Sequence, residues 1–201
     1  MTRRAQHTRR DGSRPRDGRR IPTPRDLLER AGLRPHHQVV DIGCGSTGTF
    51  TVPAVRMVGD GGVVTAVDVD SDAVAELGAR KVPGSLRVEP CGPAEFPLHD
   101  GDCDFGILGY TLHEVRNAGK FLAEVNRVLK VDGRLMVVDW RKVNDGCQPP
   151  KKLRLARGDA EAILERAGFE VEEAAFLDDS SYIVVAVKER NVETVNLYGE
   201  R

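Results

Sequence analysis

The stretch VVDIGCGSTGTFTVP, residues 39–53, is the feature that most constrains the fold. An apolar run ends in an acid, Asp41, and glycines follow before an apolar segment at helical spacing. In open α/β sheets, ligands bind at the carboxyl ends of parallel strands, where such turns lie. Glycine permits positive φ angles and lets a ligand approach the backbone closely. The stretch therefore predicts a ligand-binding loop between a first strand and a helix.

Strand-like and helix-like segments alternate from residue 21 onward, which is typical of a parallel sheet with helices on both faces. Two closing segments, FEVEEAAF and SYIVVAVKE, are separated only by the turn-forming LDDS, so they should pair antiparallel. Strands are predicted at about 38–42, 63–68, 85–89, 103–109 and 133–139, and helices at about 22–33, 51–59, 71–80, 118–130 and 157–169.

Composition favours one soluble globular domain. The 201 residues are 40% hydrophobic and 30% charged, and no apolar run is long enough to cross a bilayer. The Arg-rich start lacks the apolar segment of a secretory signal. Four cysteines stand far apart with no CxxC pair: Cys44, Cys91, Cys103 and Cys147. The sequence therefore predicts a cytoplasmic protein without a structural metal.

Charge divides the chain. Residues 1–25 hold nine Arg and two Asp, a charge of +7, which leaves −8 for the rest of a chain whose net charge is −1. We predict a basic flexible arm over 1–20, a ligand-binding domain over 21–190 and a C-terminal tail over 191–201. The arm has almost no apolar residues to bury, so a solvated chain is favoured over an RNA-binding arm or a lid over a substrate.

Two cofactors compete for the glycine loop. Gly43, Gly45 and Gly48 spell GxGxxG, and Asp68 follows Gly48 by 20 residues, as in dinucleotide-binding loops. Three features favour S-adenosylmethionine instead: Asp41 precedes the first glycine as DxGxG, Asp68 ends the second predicted strand within AVDVD, and the chain closes with the strand pair.

At these residues the chain resembles the class I S-adenosylmethionine-dependent methyltransferases, in particular the type 11 group related to quinone-biosynthesis C-methyltransferases. The resemblance runs from about residue 21 to residue 188. It rests on the stretches VVDIGCG, VVTAVDVDSDAV, AEFPLHDGDCDFGILGYTLHEV, FLAEVNRVLKVDGRLMVVDW and ILERAGFEV. It implies an α/β fold: a Rossmann-like, doubly wound sheet of seven strands with an antiparallel last strand, in a three-layer sandwich.

The resemblance also implies cofactor contacts. Asp41 and the loop from Gly43 through Gly45 to Gly48 would surround the methionine end, and Asp68, followed by Val69, would accept hydrogen bonds from the ribose hydroxyls. The competing role for Asp68 is a helix cap, for which Asp70 is the better candidate.

Two departures from the family pattern stand out. GCGSTG is one residue longer than the usual GxGxG, so Ser46 and Thr47 must bulge. Pro93 occupies the position of an acid that receives the adenine amino group in the family. Adenine recognition would then rest on the backbone of Ala94 and Glu95.

Methyl transfer from a sulfonium requires alignment and exclusion of water more than a strong base. If a base exists, GYTLHEV after the fourth strand is where we expect it. His113 is the predicted proton acceptor, because histidine changes charge near neutral pH, and Glu114 or Tyr110 would orient an acceptor. The competing interpretation is that His113 packs under the next helix, while Glu114 caps it or forms an ion pair.

Asp139 and Trp140, at the end of the fifth strand, would lie on the same rim of the site, and the basic loop that follows, RKVNDGCQPPKKLRL, would form the acceptor-side wall. The competing interpretation of Trp140 is ordinary core packing.

Three classes of function remain open. The first is a methyltransferase acting on a small molecule. The second is one acting on RNA or protein through the arm or through a cluster of Lys151, Lys152 and Arg154. The third is a non-catalytic cofactor-binding module. A nicotinamide oxidoreductase is disfavoured, because no Tyr and Lys pair at helical spacing is present. The sequence leaves the acceptor atom and the oligomeric state open.

Overall fold

A computed structural model describes residues 22–190. All of the predicted arm (1–20) and all of the predicted C-terminal tail (191–201) thus lie outside the described residues, and both remain predictions. Seven strands and five α-helices make up the described part, together with short 3-10 turns at Leu112–Glu114 and Lys151–Leu153. The strands are β1 (Gln38–Ile42), β2 (Val63–Asp68), β3 (Leu86–Pro90), β4 (Cys103–Gly109), β5 (Leu129–Trp140), β6 (Phe169–Phe176) and β7 (Ser181–Lys188). The helices are α1 (Pro24–Arg30), α2 (Thr51–Val58), α3 (Ser71–Gly78), α4 (Ala118–Val128) and α5 (Arg157–Arg166).

The strands form one sheet in the order β3-β2-β1-β4-β5-β7-β6. The pairs from β3 to β5 are parallel, and β7 runs antiparallel to both β5 and β6. The predicted seven-stranded doubly wound sheet with an antiparallel last strand is confirmed.

Alternation along the strands divides the core into two layers. Val39, Ile107 and Val138 pack with α1 and α2 on one face. Val40 and Leu108 pack with α4 and α5 on the other. The central strands are mostly buried on both sides, as a sheet covered by two helical layers requires, whereas the edge strands β3 and β6 are partly exposed.

Boundaries differ from the predictions mainly at β5. It begins at Leu129, whereas the sequence predicted a helix to residue 130 and a strand from 133. The helical pattern of α4 ends at Val128, and the next residues bend through Asp132, whose φ is 63°. The hydrophobic pattern of the sequence does not indicate that the strand begins here, because residues 130–132 are exposed and two of them, Lys130 and Asp132, are charged. Within residues 22–190 no helix is long and apolar enough to cross a membrane.

Candidate functional site

The site lies where the strand order reverses. β1 sits between β2 and β4, so the chain leaves β1 toward one side of the sheet and later returns to build the other side. Crevices in doubly wound sheets open at this point, outside the carboxyl ends of the strands. The glycine loop leaves β1 here, and the ends of β2, β4 and β5 border it.

The loop is pinned to its neighbours at its first glycine. The backbone N–H groups of Gly43 and Cys44 both donate to the carbonyl of Val67, at 2.8 and 3.2 Å. Gly43 has a φ of 76°, and a Cβ there would lie 2.4 Å from Oγ1 of Thr111, the second residue after β4. Only glycine fits between these two strand ends.

The three predicted glycines have different surroundings. A Cβ on Gly48 would lie 2.7 Å from Leu77 of α3, so Gly48 faces inward. Gly45 has a φ of 60°, and a Cβ there would meet nothing within 4 Å. Gly45 is therefore the glycine whose missing side chain leaves open space beside the backbone.

The extra loop residue lies on the outer side. Thr47 is exposed, and its carbonyl accepts a hydrogen bond from the Arg80 guanidinium. Its hydroxyl lies 3.0 Å from that of Thr49. The bulge at Ser46 and Thr47 thus points away from the sheet, and α2 begins in regular register, with Val52 N–H donating to Gly48 O at 3.0 Å.

The two predicted acids hold backbone and helix together. Asp41 is buried, and the Thr51 hydroxyl at the start of α2 donates to its Oδ2 at 2.5 Å. Asp68 is also buried, and its two oxygens accept the N–H groups of Gly45 at 2.9 Å and Asp70 at 3.1 Å. Asp68 thus ties the glycine loop to the end of β2.

Helix capping falls to the neighbouring acid. The Asp70 side chain accepts from the N–H groups of Asp72 and Ala73 and is the N-cap of α3. The alternative in which Asp68 only caps this helix is wrong. Val69, between the two acids, is 60% exposed beside the loop and offers an apolar surface.

Beyond β3 the chain makes a tight turn through Pro93. Gly92 N–H donates to the carbonyl of Glu95 at 3.1 Å, and Ala94 packs against the core layer of α4. A shallow cavity of about 370 Å³ opens there, lined by Pro90, Cys91, Gly92, Glu95, Phe96 and Pro97. The carbonyl of Glu95 is engaged within the turn, while the Glu95 side chain lines the cavity.

Aromatic rings gather at the ends of β4 and β5. Tyr110 and Trp140 stack with ring centroids 4.4 Å apart, and Phe50 lies 6.3 Å from Tyr110. Tyr110 has a φ of 58°, a conformation that costs a non-glycine residue about 1 kcal/mol or more and that is concentrated at functional sites. A Cβ on Gly109 would lie 2.3 Å from the Phe50 ring, so this glycine makes room for the aromatic group.

The predicted base, His113, is held by an acid from the next strand. Its Nδ1 lies 2.7 Å from Oδ1 of Asp139, and its backbone N–H donates to Oδ2 of Asp139 at 2.9 Å. The His113 side chain is 1% exposed, whereas that of Glu114 is 39% exposed, with Oε1 3.7 Å from His113 Nε2. The burial of His113 agrees with the interpretation that it packs under the next helix. A residue that only packs there would not need two hydrogen bonds to the same carboxylate, as His113 makes to Asp139.

The basic loop after β5 is organised around one arginine. Arg154 is buried and forms a two-bond ion pair with Asp145, with both N–O distances 2.8 Å. Its remaining N–H groups donate to the carbonyls of Pro149, Arg141 and Cys147 at 2.7 to 3.1 Å. The hydrogen bond from Arg154 holds the pKa of Asp145 below its usual value. Arg154 thus ties the loop into a fixed wall.

One prediction is corrected by this geometry. Arg154 was grouped with Lys151 and Lys152 as a surface for RNA or protein, but its guanidinium is fully occupied inside the loop. The two lysines are exposed. Sequence reasoning also missed Thr51 and Thr111, since small polar residues carry no signal without the fold. Among the described residues no cluster of His, Cys, Asp or Glu could hold a metal ion.

Comparison with known proteins identifies the same region. The type 11 methyltransferase family, described as a methyltransferase domain, matches residues 40–137. A ubiquinone/menaquinone biosynthesis C-methyltransferase from Teredinibacter turnerae is 32% identical over 120 residues, covering 57% of this chain and 47% of that protein. The chain thus spans about half the length of the curated relatives it matches.

Two solved structures extend the likeness across the described fold. An S-adenosylmethionine-dependent methyltransferase from Aquifex aeolicus has a TM-score of 0.79 and 27% identity, covering 83% of this chain and 90% of the other. A putative type 11 methyltransferase from Sulfolobus solfataricus shares the fold, with a TM-score of 0.64 and 24% identity, covering 81% and 89% of the two chains. Over residues 40–137 in sequence, and over most of the described residues in fold, the chain is thus similar to the class I, type 11 S-adenosylmethionine-dependent methyltransferases.

Proposed function

We propose that this chain transfers a methyl group from S-adenosylmethionine to a small planar acceptor of the quinone-precursor type. The observation that carries the acceptor side is the stacked pair of Tyr110 and Trp140 beside the glycine loop. The names of the matched relatives, which act in ubiquinone and menaquinone biosynthesis, support an acceptor of this class.

The described residues fit the cofactor. S-adenosylmethionine, when bound, supplies an electrophilic methyl group on a sulfonium that leaves readily. Gly45 provides open space and a positive φ where a ligand can approach the backbone. Asp68 provides an acceptor-only carboxylate at a strand end for ribose hydroxyls, and Val69 an exposed apolar surface beside it.

The rest of the proposed cofactor site follows the loop and the β3 turn. Asp41 and Gly43 hold the loop at the end of β1, and Gly48 fixes its return into α2. Glu95 lines the shallow cavity in which we place the adenine, and Ala94 precedes it in the same turn, packed against the core. The Glu95 carbonyl already accepts from Gly92 N–H, so we assign adenine contacts to the other backbone groups of this turn.

The acceptor would lie against the aromatic side. A planar ring placed on Tyr110 or Trp140 gains buried apolar area. The offset-stacked contact adds about 1 kcal/mol to the free energy of that burial. Tyr110, His113 and Glu114 follow β4 directly, so the same short segment would hold the acceptor and receive its proton. The wall tied by Arg154 would exclude water from the reacting atoms.

Binding and turnover test this proposal separately. Isothermal titration with S-adenosylmethionine, S-adenosylhomocysteine and NAD should give binding of the first two only. Transfer of labelled methyl from S-adenosylmethionine to 1,4-naphthohydroquinone should then be measurable. Binding of NAD alone contradicts the cofactor assignment. Cofactor binding without transfer to this or related hydroquinones would favour a non-catalytic module.

A further inference from the structure

We propose that Asp139 is a positioning residue that fixes the tautomer and direction of His113, so that Nε2 of His113 takes the proton released during methylation. This inference rests on the proposed function, because the proton comes from the acceptor. It assigns a reaction role to an acid that the sequence placed only at the rim of the site.

The two residues meet because their strands are neighbours. β4 pairs with β5 up to Gly109 and Val138, so Asp139 and the turn containing His113 leave the sheet side by side. The Asp139 carboxylate contacts His113 at two atoms, the backbone N–H and the ring Nδ1. Its Oδ1 also accepts the N–H of Trp140 at 2.8 Å. Since the Asp139 side chain is 0% exposed, the carboxylate is locked in one orientation.

The contact between Nδ1 and the Asp139 carboxylate determines which ring nitrogen of His113 carries the hydrogen. An ionised carboxylate only accepts, so Nδ1 of His113 must be the N–H that donates to Asp139. In the neutral ring the lone pair then lies on Nε2. That nitrogen is 3.7 Å from the half-exposed Glu114 carboxylate. A buried proton acceptor is thereby connected to the surface through a second carboxylate.

The proton balance of methylation suits this arrangement. The acceptor gains a methyl group and loses one proton, while the electron pair of the broken S–C bond stays on sulfur. Nε2 of His113 takes that proton, and the resulting imidazolium lies between the carboxylates of Asp139 and Glu114. The proton then leaves through Glu114 to water, which restores the neutral ring. No oxidant or reductant is required.

A competing base is excluded by its surroundings. Tyr182 of β7 lies opposite Asp139 in the strand register and is fully buried. Burial raises the pKa of its phenol far above the usual value, and the negative charges of Asp139, and of Asp159 and Glu161 on α5, raise it further. Tyr182 therefore stays protonated and does not compete with His113 for the proton.

The first test reads the tautomer without any acceptor. With ¹⁵N-labelled histidine, the apo protein should show a ring protonated at Nδ1 that disappears in His113→Gln, separate from that of His36, whose Nδ1 lies 2.6 Å from the carbonyl of Asp60. Asp139→Asn should shift that ring toward a mixture of tautomers. Asp132→Asn, the same acid-to-amide change near the opposite end of β5, should leave the tautomer of His113 unchanged. A ring protonated at Nε2 in the parent, or an unchanged ring in Asp139→Asn, overturns the proposal.

The second test measures turnover with 1,4-naphthohydroquinone. Asp139→Asn should lower kcat about a hundredfold, while S-adenosylmethionine affinity stays the same. His113→Gln, whose amide can still donate to Asp139, should behave alike and provides the variant if Asp139→Asn does not fold. An altered tautomer with unchanged kcat overturns the proton role. If the parent methylates no hydroquinone, the proposed acceptor fails, and the tautomer measurement still decides whether Asp139 positions His113.

Discussion

The two halves of the site are built by different means. In the proposed cofactor half, at the ends of β1 and β2, the contacts are mostly made by the backbone: glycines with positive φ, N–H groups that donate to the Val67 carbonyl, and N–H groups that donate to Asp68. In the proposed acceptor half, at the ends of β4 and β5 and in the loop after β5, the contacts are made by side chains: a stacked aromatic pair, a His–Asp pair and a buried arginine. Backbone geometry can hold a common cofactor, whereas side chains can be exchanged to suit an acceptor.

The largest effect is expected for Gly45→Val, which tests whether the backbone of the glycine loop contacts the cofactor. A β-branched residue at φ 60° is strained and would fill the open space beside the loop, so affinity for S-adenosylmethionine should fall about a hundredfold or more. Calorimetry measures the effect. Gly101→Val is the matched control, since Gly101 has a φ of 66° and equally open surroundings near the opposite edge. Equal cofactor affinity in the two variants would show that the loop does not contact the ligand.

The acceptor half is tested next by Arg154→Met. This change removes the ion pair to Asp145 and three bonds to carbonyls, so the free energy of unfolding should fall by about 2 to 3 kcal/mol. Chemical denaturation measures it, with the exposed Lys152→Met as control. The acceptor KM should rise while cofactor affinity is retained. Loss of cofactor affinity would mean that the two halves are not separable.

A third change returns to the cofactor half. Asp68→Ala removes the acceptor proposed for the ribose and the anchor of Gly45 N–H, so binding should weaken by about 1 to 3 kcal/mol. Isothermal titration measures the affinity, and a thermal melt separates it from unfolding. Asp70→Ala, which removes only the α3 cap, should retain cofactor affinity. Equal losses in both variants would contradict a direct role for Asp68.

The smallest effect is expected for Trp140→Ala. Loss of the stacked ring should raise KM for 1,4-naphthohydroquinone about fivefold to tenfold, which corresponds to about 1 kcal/mol of stacking. Initial-rate measurements at saturating S-adenosylmethionine check it. Trp140→Phe should recover most of the loss. An unchanged KM in Trp140→Ala would show that Trp140 only packs against its neighbours and does not contact the acceptor.

The same contrast explains how far the sequence could predict the molecule. The fold followed from apolar runs and turns, because the central strands are mostly buried on both faces and several helices have capping residues at their first turn. The capping role of Asp70 was predicted from its position alone. The pairing of His113 with Asp139 was not, because 26 residues separate them and only strand order brings them together. The interior position of Arg154 was also missed, since a lysine- and arginine-rich stretch reads as a solvated surface whichever of its members turns inward.

The outward bulge at Ser46 and Thr47 bears on how such loops tolerate changes in length. The added residue is absorbed on the exposed side, where the Arg80 guanidinium meets the Thr47 carbonyl, and the helix that follows starts without a shift. The hydrogen bonds on either side of the bulge, from Gly45 N–H to Asp68 and from Val52 N–H to the Gly48 carbonyl, are in place. A loop of this length can therefore keep both the positive φ of Gly45 and a regular start of α2, so its length alone gives no reason to place the chain outside the cofactor binders.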